Sequence, residues 1–215
     1  MTVCVIPARG GSVRIPRKNI RMFAGVPIIA HSIRAAKRSG LFSNVIVSTD
    51  DNEISEIAQG FGADVMIRGE RWAREDVGPL DVARHTLTLM APCEFACVLY
   101  ATAPLMAVSD LILGWRAVQR PGVMYALSAA ATPFLHDAAQ FVWCRSVALQ
   151  ERIPEFGDAT VMIPIPRERD CDINVEADWI RAEAMYAGWH GGNTQIEADS
   201  HVGEIGLWRS VEQST

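Results

Sequence analysis

The first residues constrain the fold most strongly, because an apolar segment runs directly into a basic loop that contains two glycines. Thr2–Pro7 is a short apolar run typical of a buried β-strand. Gly10 and Gly11 follow it, and they allow close approach of the backbone and let consecutive amides surround an anion. In an open α/β sheet, ligands bind beyond the carboxyl ends of the strands. The sequence therefore predicts an anion-binding loop on an α/β sheet.

The distribution of charge supports this prediction. Residues 1–49 contain eight Lys and Arg and no Asp or Glu, whereas residues 50–215 contain the other 12 basic residues and all 25 acidic ones. The first segment carries +8 and the remainder −13, which together give the net charge of −5. Net charge informs on partners rather than on fold. The overall sign argues against a nucleic-acid partner, and the local sign indicates an anionic ligand.

Length and composition fit one globular domain without a membrane segment. The 215 residues are 49% apolar and 21% charged, which is ordinary globular composition. The longest apolar run, 95–108, is interrupted by Pro104 and is shorter than the ~20 residues of a membrane span. The start of the chain lacks a signal-peptide pattern. Of five cysteines, only Cys93 and Cys97 have the spacing of half a zinc site. We therefore expect a cytoplasmic protein with reduced cysteines and no membrane partner.

Strand-like and helix-like patterns alternate along the chain, as they do in βαβ units. This alternation predicts an α/β fold whose mostly parallel sheet is covered on both faces by helices. The predicted strands are 2–7, 44–48, 64–67, 95–100, 123–128 and 161–165. Pro27 opens the first predicted helix and Gly40 closes it. Asp50 or Asp51 is predicted to cap the second helix and Ser109 the fourth. The third predicted helix begins at Leu80, and the last one spans 176–187.

The glycine-containing loop lacks the patterns of the two commonest nucleotide-binding folds. The segment PARGGSVRIPRKN (7–19) contains neither G-x4-G-K-[ST] nor G-x-G-x-x-G. The motif alone therefore disfavours a P-loop NTPase and a dinucleotide dehydrogenase.

A different family fits these residues. IPARGGSVRIPRKNI (6–20) resembles the opening signature of the acylneuraminate cytidylyltransferases, which make CMP-activated nine-carbon acidic sugars. The resemblance covers about residues 1–187. The further matching segments are VSTDDNEI (47–54), GPLDVARHTL (78–87), LYATAPL (99–105), HDAAQFVW (136–143) and DINVEADWIRAEAMY (172–186). The last three of these segments are most similar to the pseudaminic acid cytidylyltransferase branch.

The resemblance implies a fold and a reaction. The fold is a three-layer α/β/α, nucleotide-diphospho-sugar transferase-like (Rossmann-like) domain over 1–187, and 188–215 form a C-terminal extension. The family is usually homodimeric through an excursion, which here falls at about 130–160. The implied activity is that of a Mg²⁺-dependent cytidylyltransferase acting on CTP and a nonulosonic acid. The anomeric hydroxyl attacks the α-phosphate and pyrophosphate leaves, a reaction that depends mainly on positioning and charge neutralisation.

Site residues follow by motif position. The implied catalytic residues are Arg9 and Lys18, which neutralise the triphosphate, and Asp172. Arg68 is expected near the cytidine, unless it is a solvated surface arginine, and Gln140 near the sugar, unless it is a polar residue of a half-exposed strand. The implied substrate-binding residues are Gly10, Gly11, Ser12, Arg14, Asn19, Arg68, Tyr100, Thr102, His136 and Gln140.

Asp172 and Asn174 are the implied metal ligands. They stand where the family has Asp-x-Asp, and residues i and i+2 of an extended segment point to the same side. Mg²⁺ favours such oxygen ligands together with phosphate oxygens. The alternative is that both side chains only cap the helix that follows.

The chain departs from the family pattern at four positions. Asn174 replaces an aspartate, Val13 a lysine, Glu75 an aspartate and Val77 a threonine or serine. These departures leave two alternatives open besides a pseudaminic acid enzyme. One is a nucleotide- or sugar-binding homologue with impaired catalysis. The other is a nucleotidyltransferase for another nucleotide or another acidic sugar, such as legionaminic or deaminated sialic acid.

Overall fold

A seven-stranded mixed sheet forms the centre of the molecule in the computed structural model, which describes residues 1–130 and 136–191. Its strand order is β5-β4-β1-β6-β8-β7-β9, and β2 and β3 form a separate two-stranded hairpin. The strands are β1 Thr2–Pro7, β2 Met22–Phe23, β3 Val26–Pro27, β4 Asn44–Thr49, β5 Asp64–Ile67, β6 Phe95–Leu99, β7 Tyr125–Ala130, β8 His136–Arg145 and β9 Thr160–Pro164.

Helices cover both faces of the sheet, so the predicted three-layer α/β fold is confirmed. Residues of α1, α2 and α4 pack on one face, and residues of α3 and α5 pack on the other. The helices are α1 Ile28–Ser39, α2 Asn52–Gly60, α3 Pro79–Thr88, α4 Val108–Val118, α5 Ser146–Gln150 and α6 Glu176–Gly191.

Strand β1 lies at the middle of the parallel part of the sheet, between β4 and β6. Its four central residues, 3–6, are fully buried, because the strand has a neighbour on each side and helices above and below. This explains why its sequence is continuously apolar rather than alternating. Since β1, β4, β5 and β6 are parallel, their carboxyl ends share one edge of the sheet. The loops that follow these four strands therefore lie at the same edge.

Most predicted elements are found with small changes at their ends. Gly40 has a left-handed φ of 65° after α1, as its closing role predicts, and Asp51 caps α2 by accepting a hydrogen bond from the amide of Ile54 at 3.0 Å. The prediction that Ser109 caps the next helix is wrong, because Ala107 occupies the N-cap position and Ser109 lies in the first turn. The final helix continues past Ala187 to residue 191.

Strand β8 gives the sheet its antiparallel part. It lies between β6 and β7 and is antiparallel to both, with an irregular register between Leu127 and Ala129 of β7. The described part of the predicted excursion, 136–160, thus supplies β8, α5 and the loop that leads to β9. Residues 131–135 and 192–215, which include most of the predicted extension, lie outside the described residues. The role of the excursion in a homodimer stays a prediction.

Two further expectations can be compared with the structure. All five cysteines are free, as expected. Within 1–130 and 136–191, every helix is too short or too polar to cross a lipid bilayer.

The tight packing of α4 on the sheet predicts opposite effects for two helical glycines. A Cβ atom on Gly114 would lie 2.5 Å from Trp143 Cδ1 and 2.9 Å from Phe141 Cε2. We expect Gly114→Ala to lower the free energy of unfolding by roughly 1–3 kcal/mol through overpacking.

Gly188→Ala in α6 is the matched control, because a Cβ there has no atom within 4 Å. It should raise the free energy of unfolding by about 0.5–1 kcal/mol through helix propensity. Urea denaturation of both variants tests the packing, and equal effects of the two substitutions would contradict it.

Candidate functional site

The loops at the carboxyl edge of the sheet enclose a cavity of about 210 Å³. Its wall comes from three segments, which follow β1, β5 and β6. Eight of the residues implied by the family motifs line it together: Arg9, Ser12, Arg14, Lys18, Asn19, Arg68, Tyr100 and Thr102. Gly10 and Gly11 belong to the same loop, whereas Asp172, Asn174, His136 and Gln140 are not in the wall of this cavity.

The two glycines of the loop have different surroundings, and only one of the two positions requires a glycine for steric reasons. A Cβ on Gly10 would lie 2.5 Å from Asp51 Oδ2, so the start of α2 requires a glycine there. The Gly10 amide already donates to Asp50 Oδ1 at 3.1 Å. Around Gly11, by contrast, a Cβ would have no atom within 4 Å. Close approach of another molecule to the loop backbone is therefore possible at Gly11.

Asn19 and Arg17 hold the loop in shape. The buried Asn19 side chain donates from Nδ2 to the carbonyl oxygen of Arg9 at 2.9 Å, so it fixes the backbone next to the glycines. Arg17 has a left-handed φ of 55° and donates to Asp51 and to Glu53, each at 2.5 Å. The hydrogen bond from Arg17 lowers the pKa of Asp51. Arg17 is thus balanced by acidic neighbours.

Lys18 connects the loop to the segment that contains Asp172. Its Nζ donates to the carbonyl oxygen of Ile173 at 2.7 Å, across 155 residues of sequence. Burial lowers the pKa of Lys18, the positive charges of Arg14 and Arg9 add to this, and the negative charge of Asp172 opposes it. The ammonium group is therefore partly desolvated, and the charges of two arginines and of two carboxylates, Asp172 and Asp178, act on it.

A small apolar cluster beneath the loop brings these segments together. Ile15 of the loop and Ile173 of the later segment are both buried in it, along with Leu105 and Trp179. Arg21 adds a cation–π contact, with its guanidinium 4.4 Å from the centre of the Trp179 ring. Packing of apolar side chains, rather than attraction between the polar groups, thus accounts for the proximity of Lys18 and Asp172.

Arg68 is a buried cation in the cavity wall, not the solvated arginine of the alternative interpretation. Only 5% of its surface is exposed. Its Nη1 donates to the carbonyl oxygen of Ser48 at 2.9 Å, and its Nη2 lies 4.0 Å from Asp50 Oδ1. Burial lowers the pKa of this guanidinium, and Asp50 partly offsets the effect. A buried arginine of this kind favours contact with acceptor atoms or negative charge.

The Asp172 segment offers two oxygen-bearing side chains. Asn174 Nδ2 donates to Asp172 Oδ2 at 2.5 Å, so the two groups are adjacent, as the i, i+2 spacing predicts. Asp178, in the first turn of α6, accepts from the amides of Asn174 and Val175 at 2.9 and 3.0 Å and so fixes the backbone at the start of that helix. Among the described residues, no three His, Cys, Asp or Glu side chains are grouped so as to hold a metal.

Asp137 is a polar residue of this region that the sequence analysis left out. Its Oδ2 accepts a hydrogen bond from the Tyr100 hydroxyl at 3.3 Å, and its Oδ1 accepts from the Ala139 amide at 2.8 Å. Ala139 has a left-handed φ of 50° in the irregular part of β8. Burial raises the pKa of Asp137, as it raises that of Tyr100. Its position beside His136 in the matching segment was the available signal.

His136 and Gln140 flank this irregular segment of β8. Gln140 is 2% exposed and donates from Nε2 to the carbonyl oxygen of Arg169 at 2.7 Å. The alternative interpretation, that it is a polar residue of a half-exposed strand, is therefore wrong. Arg169 is itself buried against Asp110. The half-exposed His136 lies 3.7 Å from Asp170. A contact of either residue with a sugar stays a prediction.

Three departures from the family pattern gather at the cavity. Val13 lines it with 75% of its surface exposed, and Val77 lines it from the segment after β5. Glu75 lies 3.5 Å from the guanidinium of Arg9. The fourth departure, Asn174, neighbours Asp172. The substitutions thus lie in the cavity wall or beside Asp172.

Comparison with solved structures agrees with the fold. The CMP:2-keto-3-deoxy-manno-octonic acid synthetase solved in complex with CTP superposes with a TM-score of 0.68 at 18% identity, over 87% of this chain and 99% of that one. This similarity shows a nucleotidyltransferase fold.

Sequence comparison then gives the family. The family model described as Cytidylyltransferase matches residues 3–114. A pseudaminic acid cytidylyltransferase of Campylobacter jejuni serotype O:23/36 (strain 81-176) is 40% identical over 221 residues, which cover 86% of this chain and 95% of that protein. A C. jejuni serotype O:2 (strain ATCC 700819 / NCTC 11168) protein of the same name is 41% identical over 109 residues, 48% of this chain and 47% of its own length. That match thus spans about half of the relative. The chain belongs to the cytidylyltransferase family.

The different surroundings of the two loop glycines yield a stability prediction. Gly10→Ala should displace the Asp51 carboxylate and weaken its bonds to Arg17 and to the α2 amide. We expect the free energy of unfolding to fall by about 1–2 kcal/mol, the size of a lost helix cap.

Gly11→Ala should change the free energy of unfolding by less than about 0.5 kcal/mol, as for other surface substitutions. Thermal unfolding of both variants measures the difference. A larger loss for Gly11→Ala than for Gly10→Ala would contradict the role given to Asp51.

Proposed function

We propose that this chain is a CMP-nonulosonic acid synthetase that transfers CMP from CTP to a nine-carbon acidic sugar, with pseudaminic acid as the first candidate. The observation that carries the proposal is the cavity at the carboxyl edge of the sheet, in which the glycine-containing loop, Arg9, Lys18 and the buried Arg68 meet. The relatives named as pseudaminic acid cytidylyltransferases support the choice of sugar.

Charge neutralisation is the first task of the residues in the wall. Lys18 uses one of its three N–H groups on the Ile173 carbonyl and keeps two for the triphosphate. Arg9 pairs with Glu75, whose side chain is 72% exposed, so a triphosphate can replace this weak partner. Because the cavity is partly desolvated, these cations act on the phosphates more strongly than they would in water.

Positioning of the acceptor sugar is the second task. We place the sugar on the side of the cavity formed by the end of β6, where Tyr100 and Thr102 line the wall and Asp137 bonds to the Tyr100 hydroxyl. Fixed hydroxyl and carboxylate groups there can hold the attacking hydroxyl near the α-phosphate. Most of the rate gain in this class of reaction comes from such positioning.

Mg²⁺ is the proposed cofactor. The residues present fit it, because the Asp172 carboxylate and the adjacent Asn174 amide offer the oxygen ligands that Mg²⁺ takes together with phosphate oxygens. When bound, the ion would neutralise phosphate charge and favour departure of pyrophosphate. A cytoplasmic location and a homodimer are likewise part of the proposal.

Pyrophosphate release tests the activity directly. The protein is mixed with CTP and Mg²⁺, and with pseudaminic, legionaminic or N-acetylneuraminic acid in turn. We expect release that requires both Mg²⁺ and one of these sugars, and omission of each component is the control. Lys18→Met should reduce kcat/KM by roughly 100-fold or more, because it removes a partly buried cation worth about 3 kcal/mol. Absence of release with every sugar would overturn the proposal.

A second candidate is a homologue with impaired catalysis. The observation that favours it is that Asn174 replaces a negative charge next to Asp172, while Val13 replaces a cation at the cavity. Such a protein would bind CTP without turning it over.

Restoring the two charges tests this candidate. If turnover of the native chain is slow, Asn174→Asp combined with Val13→Lys should raise kcat/KM about tenfold or more, equivalent to about 1.4 kcal/mol of transition-state stabilisation. Val147→Lys, on an exposed position of α5, is the control for an added lysine. Fast turnover by the native chain would exclude the second candidate, and an unchanged rate in the double variant would show that these positions are not the cause.

A further inference from the structure

A second cavity adjoins the loop that follows β6. Its volume is about 320 Å³, and its wall comes from α1, from α6 and from the segment 104–108. Within the described parts of the chain, this wall shares no residue with the cavity at the carboxyl edge of the sheet, the first cavity. Tyr100 and Thr102 of the loop line the first cavity, whereas Met106 and Ala107 line the second. The two cavities are therefore separate sites beside one loop.

The ionisable groups of the second wall are basic, apart from one tyrosine. His31, Arg34 and Arg38 recur at i, i+3 and i+7 in α1, so they share one face of that helix. His190, near the end of α6, adds another basic side chain. Among the described residues of this wall there is no Asp or Glu. The second cavity thus offers positive charge to a ligand.

Arg34 acts on both helices that line the cavity. Its guanidinium lies 5.1 Å from the centre of the Phe61 ring, and no carboxylate of the described residues is within 4.0 Å of it. Burial lowers the pKa of His31 in α1, and the charges of Arg34 and His190 lower it further. Burial raises the pKa of Tyr186 in α6, and the charge of Arg34 opposes this rise. The field of Arg34 therefore extends across the cavity.

The same wall contains several flat rings. Tyr186, Trp189 and His190 are spaced i, i+3 and i+4, so they lie on one face of α6. The Tyr186 ring centre is 5.1 Å from that of His31 and 4.2 Å from that of His190, which is 4.6 Å from the Trp189 ring. Tyr186 also contacts Phe23, with ring centres 5.4 Å apart, in the apolar cluster under the loop. His190 is exposed, so its ring is accessible to a ligand.

Packing of α6 accounts for some of these rings but not for the cations beside them. An apolar contact between helices does not require arginine at its edge. Arginine pairs well with carboxylate and phosphate groups, because its donors match two oxygens at once. Aromatic rings bind flat partners by stacking. The combination favours a small anion that also contains a flat ring.

We propose that the second cavity is a binding site for a small anion that carries a flat ring. Arg34 pairs with the anionic group, and Trp189 and His190 stack on the ring. A nucleoside monophosphate and an aromatic carboxylate share this chemistry, and the experiment distinguishes them. The inference does not depend on the proposed function, because the two walls are separate.

Binding of three compounds to the full chain tests the inference. Calorimetry measures the dissociation constants of CMP, 4-hydroxybenzoate and inorganic phosphate. We expect CMP or 4-hydroxybenzoate to bind about tenfold more tightly than inorganic phosphate, because only the first two have a ring that can stack. Arg34→Gln should weaken this binding about tenfold or more through loss of a charge-assisted hydrogen bond. His190→Gln, which removes one ring, should weaken it about threefold.

Two further variants are the controls. Arg116→Gln removes an exposed arginine of α4 that belongs to neither described wall, so it should leave every dissociation constant unchanged. Lys18→Met alters the first cavity and should leave the second intact. Thermal unfolding of each variant without ligand shows whether the fold is kept.

The outcomes separate the second cavity from the first. If CMP or 4-hydroxybenzoate still binds Lys18→Met and binds Arg34→Gln more weakly, the inference holds, whether or not the chain transfers CMP. If Lys18→Met abolishes the binding, the compound occupies the first cavity and the inference is wrong. It is also wrong if neither ring-bearing compound binds, if inorganic phosphate binds as tightly, or if Arg34→Gln keeps the native affinity. The proposed function is judged by pyrophosphate release, so each can fail without the other.

Discussion

The contact on which the candidate site depends is the hydrogen bond from Lys18 Nζ to the backbone carbonyl of Ile173. It joins the loop after the first strand to the segment before α6, and the negative charge of Asp172 acts on the Lys18 ammonium group. The bond itself is worth little, roughly 1 kcal/mol or slightly more. It persists because Ile15 and Ile173 are buried in one apolar cluster under it. The polar geometry of the site is therefore set by hydrophobic packing.

Four of the eight basic residues at the start of the chain divide into two groups with different partners. Arg17 and Arg21 are balanced by carboxylates, on Asp51 and Glu53 for the first and on Glu176 for the second. Arg9 and Lys18 instead face the cavity. Arg17 and Arg21 fasten the loop to α2 and α6, and this rigidity keeps the other two cations in position. The charge excess in the sequence thus combines a scaffold and a binding function.

Much of this organisation could be predicted from sequence, because it follows from local patterns. The apolar run of β1, the closing role of Gly40 and the cap at Asp51 each depend on a few adjacent residues. The prediction that Ser109 caps α4 was wrong because several positions near the start of a helix can serve as the cap, and tertiary packing decides between them. Asp137 was missed because its significance arises from a residue distant in sequence, Tyr100. The burial of Arg68 likewise depends on strands that are remote in sequence.

The separation of 155 residues between Lys18 and Ile173 has a consequence for synthesis of the protein. A ribosome must translate almost the whole described chain before the second half of the site exists. Until then the Gly10–Gly11 loop has its cations but not the Asp172 segment, and the cluster around Ile15 lacks Ile173 and Trp179. Contacts this distant in sequence form late and slowly. The nascent chain therefore acquires its complete site only as α6 emerges, so the two halves of the site cannot meet while the first strands are being made.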